Sequence, residues 1–204
     1  MKRIGITGPT GAGKTTALNA LTSLGAHVID ADAVYHDLLE SSAPMKGALV
    51  ERFGGEILNE QGAIDRKALG NVVFADPEAL ADLNAITHRF VMEEIDRQAA
   101  RAEEEGLPAV AIDAIALIES GVADTCDQVV GILAPKETRI RRIMAREGIS
   151  EEYARKRVEA QQSDEFFRSR CGHILENTGE DPAAFQAQAL ELFSPWMKPD
   201  GNQI

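Results

Sequence analysis

Eight residues near the start of the chain, Gly8-Pro9-Thr10-Gly11-Ala12-Gly13-Lys14-Thr15, constrain its fold more than any other stretch. They fit G-x-x-x-x-G-K-[ST], the pattern of a loop that wraps phosphate oxygens with backbone N–H groups. The flanks supply the context this pattern needs. Lys2-Arg3-Ile4-Gly5-Ile6-Thr7 is short and apolar enough for a buried strand, and Thr16-Ala17-Leu18-Asn19-Ala20-Leu21 opens a helix with apolar residues at helical spacing. Gly8, Gly11 and Gly13 permit a tight turn and a close approach of backbone to an anion. The helix start at Lys14 brings further N–H donors and the positive end of the helix dipole. In such a P-loop, Lys14 reaches the β- and γ-phosphates of a nucleotide and the Thr15 hydroxyl ligates magnesium. Ala12, Thr16 and the amides from Gly11 onward complete the cradle.

The remainder reads as strands separated by helices. Strands are expected at 26–30, 108–113, 127–133 and 173–177, and helices at 136–146, 150–162 and from Asp181-Pro182 to about 193. Between the second and third strands lies a largely helical stretch, about 33–106. Within it Asp76-Pro77 opens one helix and a long one begins near Thr87. This alternation implies a three-layer α/β/α P-loop fold: one domain with a five-stranded parallel sheet, a helical insertion over an acceptor site, and an arginine-rich lid at about 136–170. Ligands on such sheets bind at the carboxyl ends of the strands, where Thr7, Asp30 and Asp113 fall.

Charge narrows the function classes. Lysine plus arginine total 21 against 33 acids, a net charge of −12, which argues against nucleic acid as a partner. No apolar run approaches the roughly 18 residues of a membrane span. The first strand begins so early that no leader is expected. Cys126 and Cys171 are too few and too far apart for a disulfide framework. A cytoplasmic monomer acting on a small molecule is the expectation.

Several polar groups carry candidate chemistry. Asp30-Ala31-Asp32 follows the second strand; Asp32 is a candidate general base, and the alternative is a helix-capping pair. Arg139, Arg141, Arg142 and Arg146, with Lys136, form the densest basic patch. Arg142 is read as a lid residue that supplies transition-state charge, and the alternative is a solvated face paired with Glu137 and Glu147. Glu119 follows the third strand, as a cleft residue or a helix-surface acid. His88 is placed at a helix start, and His27 at an exposed strand edge. Trp196 and Met197 are read as packing residues.

The ordered motifs resemble the dephospho-CoA kinase family over about residues 3–193. The early P-loop is followed by Ile29-Asp30-Ala31-Asp32, then by Arg66-Lys67-Ala68-Leu69 with Val73-Phe74. Leu83-Asn84-Ala85-Ile86-Thr87-His88 and Asp113-Ala114-Ile115-Ala116-Leu117-Ile118-Glu119 match two further segments. So do the helix around Arg142 and Arg146 with Ala160-Gln161, and Glu176-Asn177-Thr178-Gly179. The resemblance implies ATP- and Mg²⁺-dependent phosphorylation of the ribose 3′-hydroxyl of dephospho-CoA, the last step of coenzyme A synthesis. It implies Asp32 as base, Lys14 and Thr15 on phosphate and magnesium, Arg142 in the lid, and Asp32, His88, Asp113 and Glu119 at the acceptor. Arg89 stands where the family usually has proline, Ile115-Ala116 where it has Pro-Leu, and Cys171-Gly172-His173 replaces an Asp-rich stretch. These departures touch acceptor and peripheral segments. Another small-molecule P-loop kinase needs the same loop and lid. A GTP switch would carry Asn-Lys-x-Asp, and the chain contains no Asn-Lys pair. A non-catalytic nucleotide binder would need neither the Asp30/Asp32 pair nor the arginine-rich helix.

Overall fold

The computed structural model describes residues 1–179 and 181–197. Five strands, β1 (Lys2–Thr7), β2 (His27–Asp30), β3 (Ala109–Asp113), β4 (Gln128–Leu133) and β5 (His173–Glu176), form one sheet in the order β2-β3-β1-β4-β5. β1 runs parallel to both β3 and β4, and β4 parallel to β5. Ala109 to Ile112 are all buried, the continuous apolar run expected of a strand covered on both faces. The α-helices are α1 (Lys14–Ser23), α2 (Ala31–Ser41), α3 (Ala43–Phe53), α4 (Arg66–Val73), α5 (Pro77–Glu104), α6 (Lys136–Glu147), α7 (Glu151–Glu159), α8 (Asp164–Arg170) and α9 (Pro182–Phe193).

The chain divides into two compact units, Met1–Ile29 with Ala99 onward, and Asp30–Gln98. In the first, α1 and α9 pack together beside the sheet. Ile4, Ile6, Ala17, Leu21, Ile132, Phe185, Ala189 and Phe193 form its core. Trp196 packs against this core, with its ring 5.0 Å from that of His173.

The second unit is helical. Met45, Leu49 and Phe53 repeat at i, i+4 and i+8 along α3, and pack with Leu39, Ile57, Leu69, Val73, Ala79 and Leu83. Each of its helix starts is capped by a side chain: Asp30 for α2, Ser42 for α3, Asp65 for α4, and Asp76, whose Oδ1 accepts from Glu78 N, for α5. Each such cap contributes about 1 kcal/mol. The Asn59-Glu60-Gln61-Gly62 turn is closed by Asn59 Oδ1, which accepts from Gln61 N and Ala63 N at 3.0 Å each.

Three expectations change. The helix predicted to begin near Thr87 is part of α5, which runs unbroken from Pro77 to Glu104. Thr87 reads as a start signal, but its hydroxyl donates to Leu83 O at 2.8 Å, one turn back within the helix. His88 therefore lies inside a helix rather than at its start. Further on, α7 stops at Glu159 rather than continuing to 162, and α8, which was not expected, follows it. Ser163 starts α8 by accepting from Phe166 N at 3.2 Å.

Candidate active site

The phosphate loop is built by glycine geometry first. Gly8, Gly11 and Gly13 all adopt positive φ, at 138°, 81° and 108°. Space forbids a side chain there as well. A Cβ on Gly8 would lie 2.2 Å from Ile132 O, one on Gly11 2.9 Å from Arg139 O, and one on Gly13 2.3 Å from Asn177 Nδ2. The three positions are thus fixed by backbone conformation and by close neighbours on β4, α6 and the segment after β5. Ala12, between two of them, is fully buried.

The loop then feeds α1, whose N-cap is Gly13 in the left-handed region, with no side-chain cap. No acidic side chain occupies its first turn. The helix therefore keeps its positive dipole end and leading amides for a ligand. Lys14 curls back over the loop, its Nζ donating to Gly8 O at 3.0 Å. Thr15 is exposed at the same turn, with its hydroxyl side chain open to solvent. A cradle of left-handed glycines, an uncapped helix start, a lysine and an accessible hydroxyl is the donor set that a magnesium–nucleoside triphosphate requires, so the residues present fit that group.

Arginines from α6 brace the cradle from behind. α6 and α7 form a hairpin around Ile140, Ile143, Ala154 and Val158. Ion pairs join its two helices at the surface, Glu137 with Arg155 at 2.8 Å and Lys136 with Glu159 at 2.7 Å. The hydrogen bond from Arg155 holds the Glu137 carboxyl below its ordinary range, and the one from Lys136 does the same for Glu159. These pairs are exposed, so each adds little stability.

Arg142, the lid candidate, donates from Nη1 to Gly11 O (3.3 Å) and Ala12 O (3.4 Å). From Nη2 it donates to Asn177 Oδ1 (3.2 Å) and Gly179 O (3.1 Å). Burial, then the charge of Arg141, lowers its pKa from the ordinary arginine value. Lys136, Arg141 and Arg146 of the expected basic patch turn outward; Arg146 pairs with Glu147 at 2.6 Å and its side chain is 60% exposed.

Three residues in this network were not among the expected site residues. Arg139 is 4% exposed, and its Nε donates to Thr10 O at 3.1 Å. Gln161, just past α7, bonds Thr10 as well, with Thr10 N donating to its Oε1 at 3.2 Å. Asn177, 5% exposed, donates from Nδ2 to Ala12 O at 2.9 Å. For Arg139 a signal existed: it lies one helical turn before Ile143 and beside Ile140, on the apolar side of α6. A guanidinium at such a position must find buried acceptors.

Gly8, Gly11, Ala12, Gly13, Lys14, Thr15, Thr16 and Arg142 thus come together in one unit. Asp113 ends β3 in register with Ile6 of β1, one residue before the fully buried Thr7. Glu119 does not sit on a helix; it lies exposed in the turns after β3, with Gln162 Nε2 donating to its Oε1 at 3.3 Å. Asp32 and His88 belong to the other unit. Asp32 is the second residue of α2, and Asp30 caps that helix by accepting from Ala33 N at 2.9 Å. His88 keeps its Nε2 buried without a hydrogen-bond partner among the described residues. No His/Cys/Asp/Glu cluster of metal-binding size occurs among the described residues.

A five-stranded parallel sheet whose first strand runs through this loop into α1 defines a P-loop kinase-type fold. Residues 2–182 match the family model for dephospho-CoA kinase. A dephospho-CoA kinase of Geobacter sulfurreducens is 38% identical over 194 residues, 95% of this chain and 98% of the relative. That of Corynebacterium efficiens is 37% identical over 88% of this chain and 90% of its own. Among solved structures, a Thermus thermophilus protein superposes with a TM-score of 0.78 at 33% identity, covering 97% of this chain and 98% of that one. The dephospho-CoA kinase of Campylobacter jejuni does so at 0.59 and 27%, over 96% and 97%. A shikimate kinase of Bacteroides thetaiotaomicron, at 16% identity and 0.52, shares the fold. The chain belongs to the dephospho-CoA kinase family.

Proposed function

We propose that this chain transfers the γ-phosphoryl group of ATP to the 3′-hydroxyl of dephospho-CoA, giving coenzyme A and ADP. The observation that carries the phosphoryl-transfer half is the cradle: three glycines at positive φ leading into an uncapped α1, with Lys14 Nζ already lying over the loop. Family membership supports the choice of acceptor.

The chemistry assigns a task to each group. The ribose hydroxyl oxygen attacks the γ-phosphorus, the bond to the β–γ bridging oxygen breaks, and ADP leaves. Asp32 orients the hydroxyl and takes its proton, since an alcohol is a poor nucleophile at neutral pH. Backbone amides from Gly11 to Thr16 hold the phosphate oxygens, and Lys14 offsets charge on the β- and γ-phosphates. The Thr15 hydroxyl would hold magnesium, which would supply charge neutralisation at the phosphates. Arg142 belongs to the lid and contributes positive charge where it develops in transfer. By family resemblance, Asp32, Asp113, Glu119 and His88 are the acceptor contacts of this reading. A cytoplasmic location, with the monomer favoured, belongs to this reading. Among the described residues no helix is long and apolar enough to cross a membrane.

An ADP-release assay over a panel of acceptors tests this reading. Dephospho-CoA is expected to give by far the highest kcat/KM. Preference for a nucleoside monophosphate or for shikimate would overturn the acceptor assignment and leave the P-loop assignment standing.

A further inference from the structure

Thr10 is the third residue of the phosphate loop, and every polar group it carries is committed to residues outside the loop. Its carbonyl accepts from Arg139 Nε at 3.1 Å, and its N–H donates to Gln161 Oε1 at 3.2 Å. Its hydroxyl accepts from Gln161 Nε2 at 2.8 Å. Gln161 Oε1 also accepts from Arg139 Nη2 at 2.5 Å, which closes a ring of four hydrogen bonds among three residues. The two partners come from the two ends of the α6–α7 hairpin, Arg139 in the first turn of α6 and Gln161 just beyond α7.

This arrangement is costly for packing alone. Arg139 is almost wholly buried, and burial lowers its pKa, opposed by the charge of Asp164. Its guanidinium meets neutral oxygens on Thr10 and Gln161. A leucine would fill the space without that desolvation cost. What a buried arginine and a carboxamide add is direction: together they fix the N–H, the carbonyl and the hydroxyl of one residue at once. Thr10 immediately precedes Gly11, where an added Cβ would lie 2.9 Å from Arg139 O. Holding Thr10 therefore sets the entry to the run of amides that faces the phosphates.

We infer that Gln161, acting with Arg139 through Thr10, is a positioning residue that preorganises the phosphate loop from the base of the α6–α7 hairpin. The inference rests on the reading of this loop as the ATP site. A preformed cradle spares ATP the cost of ordering the loop when it binds, so the benefit lies in nucleotide affinity rather than in acceptor binding.

The test compares Gln161→Ala, Gln161→Glu and Thr10→Val. For each, ATP affinity is measured by titration, KM for ATP and for dephospho-CoA by steady-state kinetics, and Tm by calorimetry. Gln161→Ala removes three hydrogen bonds of the ring and is expected to weaken ATP binding about tenfold, with KM for dephospho-CoA unchanged. Thr10→Val loses only the hydroxyl contact and should weaken it about threefold. Gln161→Glu should return to near wild type, because a carboxylate still accepts from Thr10 N and Arg139, and the threonine hydroxyl can turn to donate. Wild-type ATP affinity in both Gln161→Ala and Thr10→Val overturns the inference. So does a lowered Tm with equal losses for ATP and acceptor that Gln161→Glu does not rescue. If the wild-type protein binds ATP yet ignores dephospho-CoA, the acceptor reading fails alone, and the ATP titrations still decide the role of Gln161.

Discussion

In the phosphate loop, conformation is fixed by groups that cannot be exchanged: three glycines at positive φ, and buried Arg139 and Asn177 bonding loop carbonyls. In the unit Asp30–Gln98 the opposite holds. Its helices start on ordinary Asp and Ser caps, and its core is an aliphatic stripe of Met45, Leu49, Leu69 and Leu83, which tolerates volume-conserving exchange. The loop specifies a geometry and the helical unit specifies a surface. That difference separates positions set by backbone conformation and buried polar bonds from positions set by packing alone. It also fits the departures from the family pattern, which include Arg89 in α5 and none of the loop glycines.

The largest effect is expected where exchange is least tolerated. Lys14→Ala should abolish phosphoryl transfer while leaving the unfolding midpoint near wild type, because Lys14 is absent from the apolar core and its role is charge. Near-normal turnover would break the comparison at its strongest point. Arg142→Ala comes next, with kcat lowered by about 10³-fold, the order reported for a missing transition-state arginine. Arg142 is bonded to Gly11 O, Ala12 O and Asn177, so a loss confined to the KM for dephospho-CoA would show that it serves the acceptor instead.

Asp32→Asn tests whether the helical unit contributes chemistry as well as surface. It keeps size and removes the base, and the chemical step in single turnover should fall about 10²-fold. ATP affinity should hold, since the nucleotide rests on Gly11 to Thr16. A variant with full turnover would confine catalysis to the loop side. Leu49→Ala, by contrast, should leave ATP affinity unchanged and lower stability in urea by about 3 kcal/mol, the ordinary cost of truncating a fully buried leucine. Weakened ATP binding in Leu49→Ala would mean that the helical unit helps to shape the loop.

The same contrast governs how much the sequence reveals. Gly8, Gly11, Gly13 and Lys14 are legible because a backbone that must adopt left-handed φ leaves a residue-type signature. The sheet is legible because β1, β3 and β4 are short apolar runs closed by turn residues. Arg139, Gln161 and Asn177 are harder to see, since their work depends on partners more than 120 residues away in the chain. Local pattern does not encode that pairing; in α6 it marks four arginines and not which one is buried. Thr87 shows the converse error, a residue with the chemistry of a cap whose hydroxyl is absorbed inside α5. α8 went unseen although Ser163 is a good cap with Asp164 and Glu165 in the first turn, because the helix spans only seven residues.

The smallest effect is expected at Asp30, and it decides between the two carboxylates. Asp30 ends β2 and Asp32 lies two residues beyond it, and spacing alone leaves the base open. The structure gives Asp30 a task of its own: it is the N-cap of α2, with Oδ1 accepting from Ala33 N at 2.9 Å. Asparagine caps a helix as well as aspartate does, because the side-chain oxygen that accepts the bond is retained. Asp30→Asn should therefore leave both stability and turnover close to wild type, whereas Asp30→Ala should cost about 1 kcal/mol in stability with turnover again little changed. Urea unfolding and single-turnover kinetics on the two variants separate capping from catalysis. If Asp30→Asn is inactive while Asp32→Asn turns over normally, the base is Asp30. If both asparagine variants remain active, neither carboxylate takes the proton, and the helical unit contributes only its surface.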